Sequence, residues 1–177
     1  TGTKDATTFL RGDNTFAEVP AGGITEADQW RFSTGGSFVN DAQITSGWER
    51  VDTDGFNYIG TGITESSGTF SFPSTGIYLV IGVLNAYEGS AVSYAGHFIK
   101  TTTDNSSYSS ATNAYAGIYT GYSWSSTTTS FIFDVTNVST HKVRLHVATP
   151  SGSTSVSVAG STSSVDTGLT FIRLGDT

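Results

Sequence analysis

The stretch "GTFSFPSTGIYLV", residues 68–80, decides how the rest of the chain is read. Phe70 and Phe72 alternate with small polar residues, so one face of a strand is apolar and the other polar. Pro73-Ser74-Thr75-Gly76 interrupts the run. Pro73 donates no ladder hydrogen bond and is confined to a strand end or edge. Gly76 reaches backbone conformations that turn the chain back. Ile77-Tyr78-Leu79-Val80 then begins a second alternating run. The pattern predicts Phe70, Phe72, Tyr78 and Val80 on one shared interior.

The same period of two recurs outward from this segment. Trp30-Phe32, Phe131-Phe133-Val135, Val143-Leu145-Val147, Val156-Val158 and Leu169-Phe171 follow it, with Ile172 and Leu174 beyond, and Trp48 and Val51 bound a further short run. No stretch keeps helical periodicity beyond two turns. Turn residues fall between the runs at Thr53-Asp54-Gly55, Ser66-Ser67-Gly68, Ser74-Thr75-Gly76, Pro150-Ser151-Gly152 and Asp166-Thr167-Gly168. There Gly supplies positive φ, while Asp, Asn and Ser bond back to the local backbone. Ser and Thr are abundant, Gly numbers 21 and Pro only 3. Together these predict an all-β sandwich or barrel.

With 177 residues, the chain suits one domain and a short arm. The arm is residues 1–24, whose sparse apolar anchors are Phe9, Leu10, Phe16 and Val19; it reads as an extended segment that must lean on a partner. The head is residues 25–177. Within it, residues 100–130 are rich in Ser and Thr with interspersed aromatics. They predict strands with a polar, Tyr-bearing face, because disordered segments rarely carry so many rings.

Charge narrows the function classes. A net charge of -7 and a pI of about 4.6 exclude the basic face that phosphate binding needs, so no nucleic-acid partner is expected. Docking on anionic lipid is disfavoured for the same reason. No apolar run reaches the length of a membrane span, and there is no secretory signal. With no cysteine, thiolate chemistry and disulfides are excluded. The chain begins without Met, which reads as a fragment or a processed form.

Phe70, Phe72, Pro73, Gly76 and Tyr78 together resemble the Phe-x-Phe-Pro-x-x-Gly-x-Tyr segment of the jelly-roll superfamily of tumour necrosis factor and the complement one-q globular head. "SFIFDVTN" at 130–137 and "STSSVDTGLTFIRLG" at 161–175 resemble its late and closing strands. The resemblance spans about residues 28–177. It implies a two-sheet antiparallel jelly-roll sandwich, assembled as a homotrimer around apolar and aromatic faces. In the arm, Leu10 to Ala17, "LRGDNTFA", is similar to a phrase of phage tail-fibre proteins, with Phe16 where Trp is usual. That resemblance implies a virion protein whose arm, through Phe9, Leu10, Arg11 and Phe16, attaches to a fibre shaft or capsid shell. Arg11-Gly12-Asp13 needs no receptor to explain it.

Catalytic chemistry finds little support. His141 and His146 are five apart, so on one strand they face opposite sides. The third histidine, His97, reads with them as surface or satisfied core. No nucleophile elbow and no metalloprotease helix is present. Glu49, Asp52 and Asp54 in "ERVDTDGF" carry part of a calcium loop without its remaining ligands, so calcium stays open and no other cofactor is expected. Asp104 and Asp134 form a nominal carboxylate pair of unknown separation. The expectation is a non-enzyme.

Recognition is the stronger lead. Tyr108, Tyr115, Tyr119, Tyr122 and Trp124 lie among Ser, Thr and Asn in a stretch with little charge. Flat rings with polar tips suit a receptor surface, including sugars, and equally suit a trimer core. The sequence therefore reads as the head of a tail fibre or spike at the virion surface, binding a host receptor, with carbohydrate favoured. A capsid decoration protein is the alternative. A non-viral binding head of the same superfamily is the third reading.

Overall fold

The computed structural model describes residues 4, 8–18, 23–88, 91–119, 123–150 and 155–177. These carry fifteen strands and no helix: β1 Thr8–Leu10, β2 Phe16–Glu18, β3 Ala27–Phe32, β4 Gly36–Phe38, β5 Ala42–Gln43, β6 Trp48–Arg50, β7 Thr64–Ser66, β8 Thr69–Ser71, β9 Gly76–Glu88, β10 Val92–Thr102, β11 Ser109–Ile118, β12 Ser123–Val135, β13 Lys142–Ala148, β14 Val156–Val158 and β15 Gly168–Gly175. Every pairing is antiparallel.

Two sheets form the head. One runs β11-β10-β13-β8-β7, with β5 beside β13. The other runs β4-β14-β9-β15-β3-β6, with β12 beside β9. The chain crosses between layers at the segment that opened the sequence reading. β8 belongs to the first sheet and β9 to the second, so Pro73 to Thr75 form a bridge between layers rather than a hairpin. Phe72 and Tyr78 meet across that bridge with ring centroids 4.6 Å apart, and both are buried. The Tyr78 hydroxyl donates back to the Ser74 carbonyl at 3.1 Å, pinning the turn. Gly76 has φ +145°, and a Cβ there would stand 2.4 Å from Arg173 Nε and 2.6 Å from the Gly175 carbonyl. Only glycine fits that crossing.

The interior is densest near this crossing. Phe70, Phe72, Phe133 and Phe171 pack edge-on or tilted with Tyr78, Trp30 and Trp48. Such pairs add about 0.5–1.5 kcal/mol each beyond their buried area. Further along β12 the interior changes character. Ser125 and Thr127 are buried where a strand of this kind ordinarily places aliphatic residues. Thr129 bonds Thr112 of the opposite sheet at 2.6 Å, and Thr127 bonds His97 Nδ1 of β10 at 2.8 Å.

Among the described residues of the arm, two short strands are present. β1 and β2 pair as a hairpin, with Leu10 opposite Phe16 and Arg11-Gly12-Asp13-Asn14 at its tip. Asp13 accepts from the Thr15 amide and hydroxyl, and Asn14 takes φ 61°, a local solution the linear reading of the arm missed. Phe9 and Leu10 remain exposed. Val19 lies outside the described residues, as do Ser151 and Gly152 of an expected turn. Thr25 and Glu26 are already bonded into the head, through Arg173 and the Thr61 and Gly62 amides.

Candidate functional site

The outer face of the β9 sheet sorts itself along one strand. From Ile77 to Tyr87 the odd-numbered residues of β9 point away from the core. Near the start of β9, one row crosses the sheet as Ile59, Ala27, Ile172, Leu79 and Ile132. Ile132 and Ile59 are 60% and 48% exposed, so the row is an uncovered apolar band. Near the end of β9, a second row crosses as Ser37, Ser157, Tyr87 and Trp124. The two rows are roughly 27 Å apart at the usual rise per residue. The first row adjoins the start of the head at Ala27; the second is at the far end.

In the far row the Tyr87 and Trp124 rings pack at a tilt of 38° with centroids 4.7 Å apart, and Trp124 is 66% exposed. Beside them an open groove of about 570 Å³ is walled by residues 34–37, 157–160 and Asp166. Three of its lining residues are glycines: Gly35, Gly36 and Gly160. A Cβ on Gly160 would stand 2.0 Å from the Gly35 amide nitrogen, so the two backbones touch and Gly160 tolerates no side chain. Asp166 accepts from the Ser164 hydroxyl at 3.0 Å and supplies the groove's only charge among the described lining residues.

The other aromatic candidates do not gather here. β11 lies in the first sheet and β12 in the second, so the segment from Tyr108 to Trp124 is divided between layers. Tyr115 stands over Gly96 on the outer face of β10, edge-on to Tyr94 and Phe98 at 5.1 and 5.8 Å. Tyr108 is half-buried beneath the Arg144 guanidinium, 3.6 Å from the ring centroid. Tyr119 is 83% exposed and folds back over Gly117. Tyr122 lies outside the described residues. Sequence reasoning missed Tyr87, Ser37 and Ser157. The alternation of β9 places Tyr87 outward, but its pairing with Trp124 depends on register across the sheet.

The carboxylates have other employment. Arg31, wholly buried, draws in Glu49 at 2.9 Å and Asp52 at 2.7 Å, and donates to Thr53 at 2.9 Å. Asp54 and Gly55 form the turn that follows, both with positive φ. Two of the three residues read as a partial calcium loop are thus committed to a guanidinium. Among the described residues no group of three potential metal ligands lies together. Asp104 accepts from the Ser106 and Ser107 amides and the Thr102 hydroxyl, bonds that hold its carboxyl well below the usual range. It caps the β10–β11 connection, while Asp134 stands exposed on β12 in the other sheet. They do not form a shared site.

The histidines divide three ways. His141 stacks on Phe133 and bonds Thr136 and Thr140. His146 bonds Asp41 at 2.8 Å, and Lys100 bonds the same carboxylate. Burial pulls the Asp41 carboxyl upward, but those two hydrogen bonds outweigh it and leave it lowered. His97 is fully buried: its Nδ1 bonds Thr127, and its Nε2 lies against the Gly82 backbone without a well-formed hydrogen bond. Burial depresses its pKa to about 4. Gly82 makes the room, since a Cβ there would stand 3.1 Å from Nε2.

No family model and no curated protein matches the chain by sequence. Solved structures do match by shape. Eiger TNF from S. frugiperda aligns with TM-score 0.65 at 13% identity, covering 85% of this chain and 93% of that one. Murine APRIL at pH 5.0 aligns with TM-score 0.62 at 13% identity, covering 84% and 98%. Both are tumour-necrosis-factor-type jelly rolls, and likeness at this identity speaks to fold alone. Two antiparallel sheets, the crossing at Pro73 and this structural likeness establish that the chain has the tumour-necrosis-factor-like jelly-roll fold.

Proposed function

We propose that this chain is the non-catalytic, trimeric head of a bacteriophage virion protein, displayed at a fibre or spike tip to bind a host receptor. One observation carries the reading: the β9 sheet is polarised. The arm enters at Ala27, beside the apolar row, and the aromatic row sits at the opposite end. A head anchored at one end and binding at the other has this layout. The apolar row supplies the face on which three copies close, since an uncovered band of this kind is normally buried by association. The arm supplies attachment. A hairpin of two three-residue strands is marginal alone, and Phe9 and Leu10 need a partner surface. The similarity of "LRGDNTFA" to fibre phrases points to a virion.

The exposed hairpin equally suits a clasp on a capsid lattice, which keeps the decoration reading as the second candidate. Fluorescently labelled full-length chain, incubated with a panel of bacteria and with empty capsids, separates them. The receptor-head reading expects labelling of cells at one strain or more. Labelling of capsids without any cell would overturn it in favour of decoration.

A further inference from the structure

The geometry points to the groove beside Tyr87 and Trp124 as a subsite for a neutral saccharide chain, with Trp124 as the stacking platform. The inference deepens the receptor-head reading and rests on it for its biological setting. Two rings packed against each other at a tilt, both exposed, present an apolar surface held by their mutual contact, so little freedom is lost on binding. The same lateral row continues into the Ser157 and Ser37 hydroxyls, each both donor and acceptor. A sugar ring has this composition in mirror image: apolar C–H faces edged by hydroxyls. Gly35, Gly36 and Gly160 keep part of the groove wall free of side chains, which leaves room for a ring beside Trp124. Asp166 adds an anionic acceptor.

Charge selects among ligands. No Lys or Arg is found among the described residues lining the groove, and its one carboxylate would repel an acidic polymer. An anionic saccharide, a phosphate or an acidic peptide is therefore a poor fit. The groove is open to solvent, which suits part of a polymer better than an enclosed small molecule.

Affinity electrophoresis of the full chain through gels containing dextran, mannan, galactan or alginate tests this. At least one neutral polymer should retard the protein and alginate should not. Trp124→Ala should weaken the retardation about tenfold and Trp124→Phe should largely restore it, as loss and return of one aromatic contact predict. Ser157→Tyr, which fills the groove, should abolish retardation while Tyr115→Ala leaves it unchanged. The inference fails if no neutral polymer retards the protein, if only alginate does, or if Trp124→Ala migrates as the parent. It fails also if Trp124→Ala alters the number of copies in the assembly, which would place the ring between subunits. Cell labelling that survives Trp124→Ala sinks the subsite and spares the receptor head. Retardation lost in Trp124→Ala, without labelling of any cell, spares the subsite and sinks the receptor head.

Discussion

The two ends of β9 are built on opposite plans. At the end where the chain enters, the interior is aromatic and the outer face aliphatic: Phe72, Tyr78 and Phe133 inside, Leu79, Ile132 and Ile172 outside. At the far end, the interior along β12 is lined by hydroxyls and a neutral histidine, while the rings stand outside. Strict alternation makes both plans read alike in sequence. What separates them is which face holds the large side chains. The difference teaches that one strand can serve packing at one end and display at the other, because each residue answers only to its own layer.

The sharpest way to break this comparison is to charge the aliphatic face. Leu79→Arg should prevent assembly, because each copy would bury an unpaired cation at a cost of several kcal/mol. Multi-angle light scattering at micromolar concentration should report three copies for the parent and one for the variant. Three copies in both would move the interface elsewhere.

Next in size is the aromatic interior. Phe72→Ala should destabilise the head by about 3–5 kcal/mol, read from urea unfolding, since the ring is buried against Tyr78, Phe133 and Phe171. Ser125→Ala, at the hydroxyl end, removes a buried oxygen with no partner and should cost nothing or stabilise slightly. If both variants melt alike, the two interiors do not differ.

His97 gives the far end a pH response. Its folded pKa is about 4 against an ordinary 6.5, so the native state excludes a proton that the unfolded chain accepts. Its contribution is complete above pH 6.5, declines as pH falls through that value, and is exhausted near pH 4. The full span amounts to about 3 kcal/mol. Urea midpoints of the parent and His97→Gln, measured at pH 7, 5.5 and 4.5, should converge toward the acid side. Parallel curves would mean that His97 already carries its proton or is open to solvent.

The smallest effect on stability belongs to the exposed ring. Trp124→Ala should shift unfolding by no more than about 0.5 kcal/mol, as surface substitutions do. A larger loss would assign the Tyr87–Trp124 pair to packing rather than display.

Much of the fold was legible because its signals are local. Pro73 and Gly76 mark the crossing by their own backbone restrictions, and the alternating runs mark the strands. The arm was less so. Its hairpin depends on Asp13 bonding Thr15 and on Asn14 at positive φ, choices that a short polar stretch leaves open. The candidate groove was legible only at Trp124. Tyr87 and Ser157 reach it through pairing of β9 with β12 and β14, and Ser37 through β4. Such long-range register leaves no trace in spacing. Tyr115 and Trp124 looked like one surface because nothing in the intervening Ser and Thr announces a change of layer.

β9 also has a mechanical consequence. It spans thirteen residues, from the crossing at Gly76 to Glu88 beyond the far row, paired with β12 along its whole length and with β15 over its first half. A ligand pulling at Tyr87 while the chain is held at Ala27 loads this strand lengthwise. Ladder hydrogen bonds lie across the strands, so such a load shears many of them at once instead of unzipping them singly. Tension entering at the tip would be shared by the whole ladder before any one bond had to break.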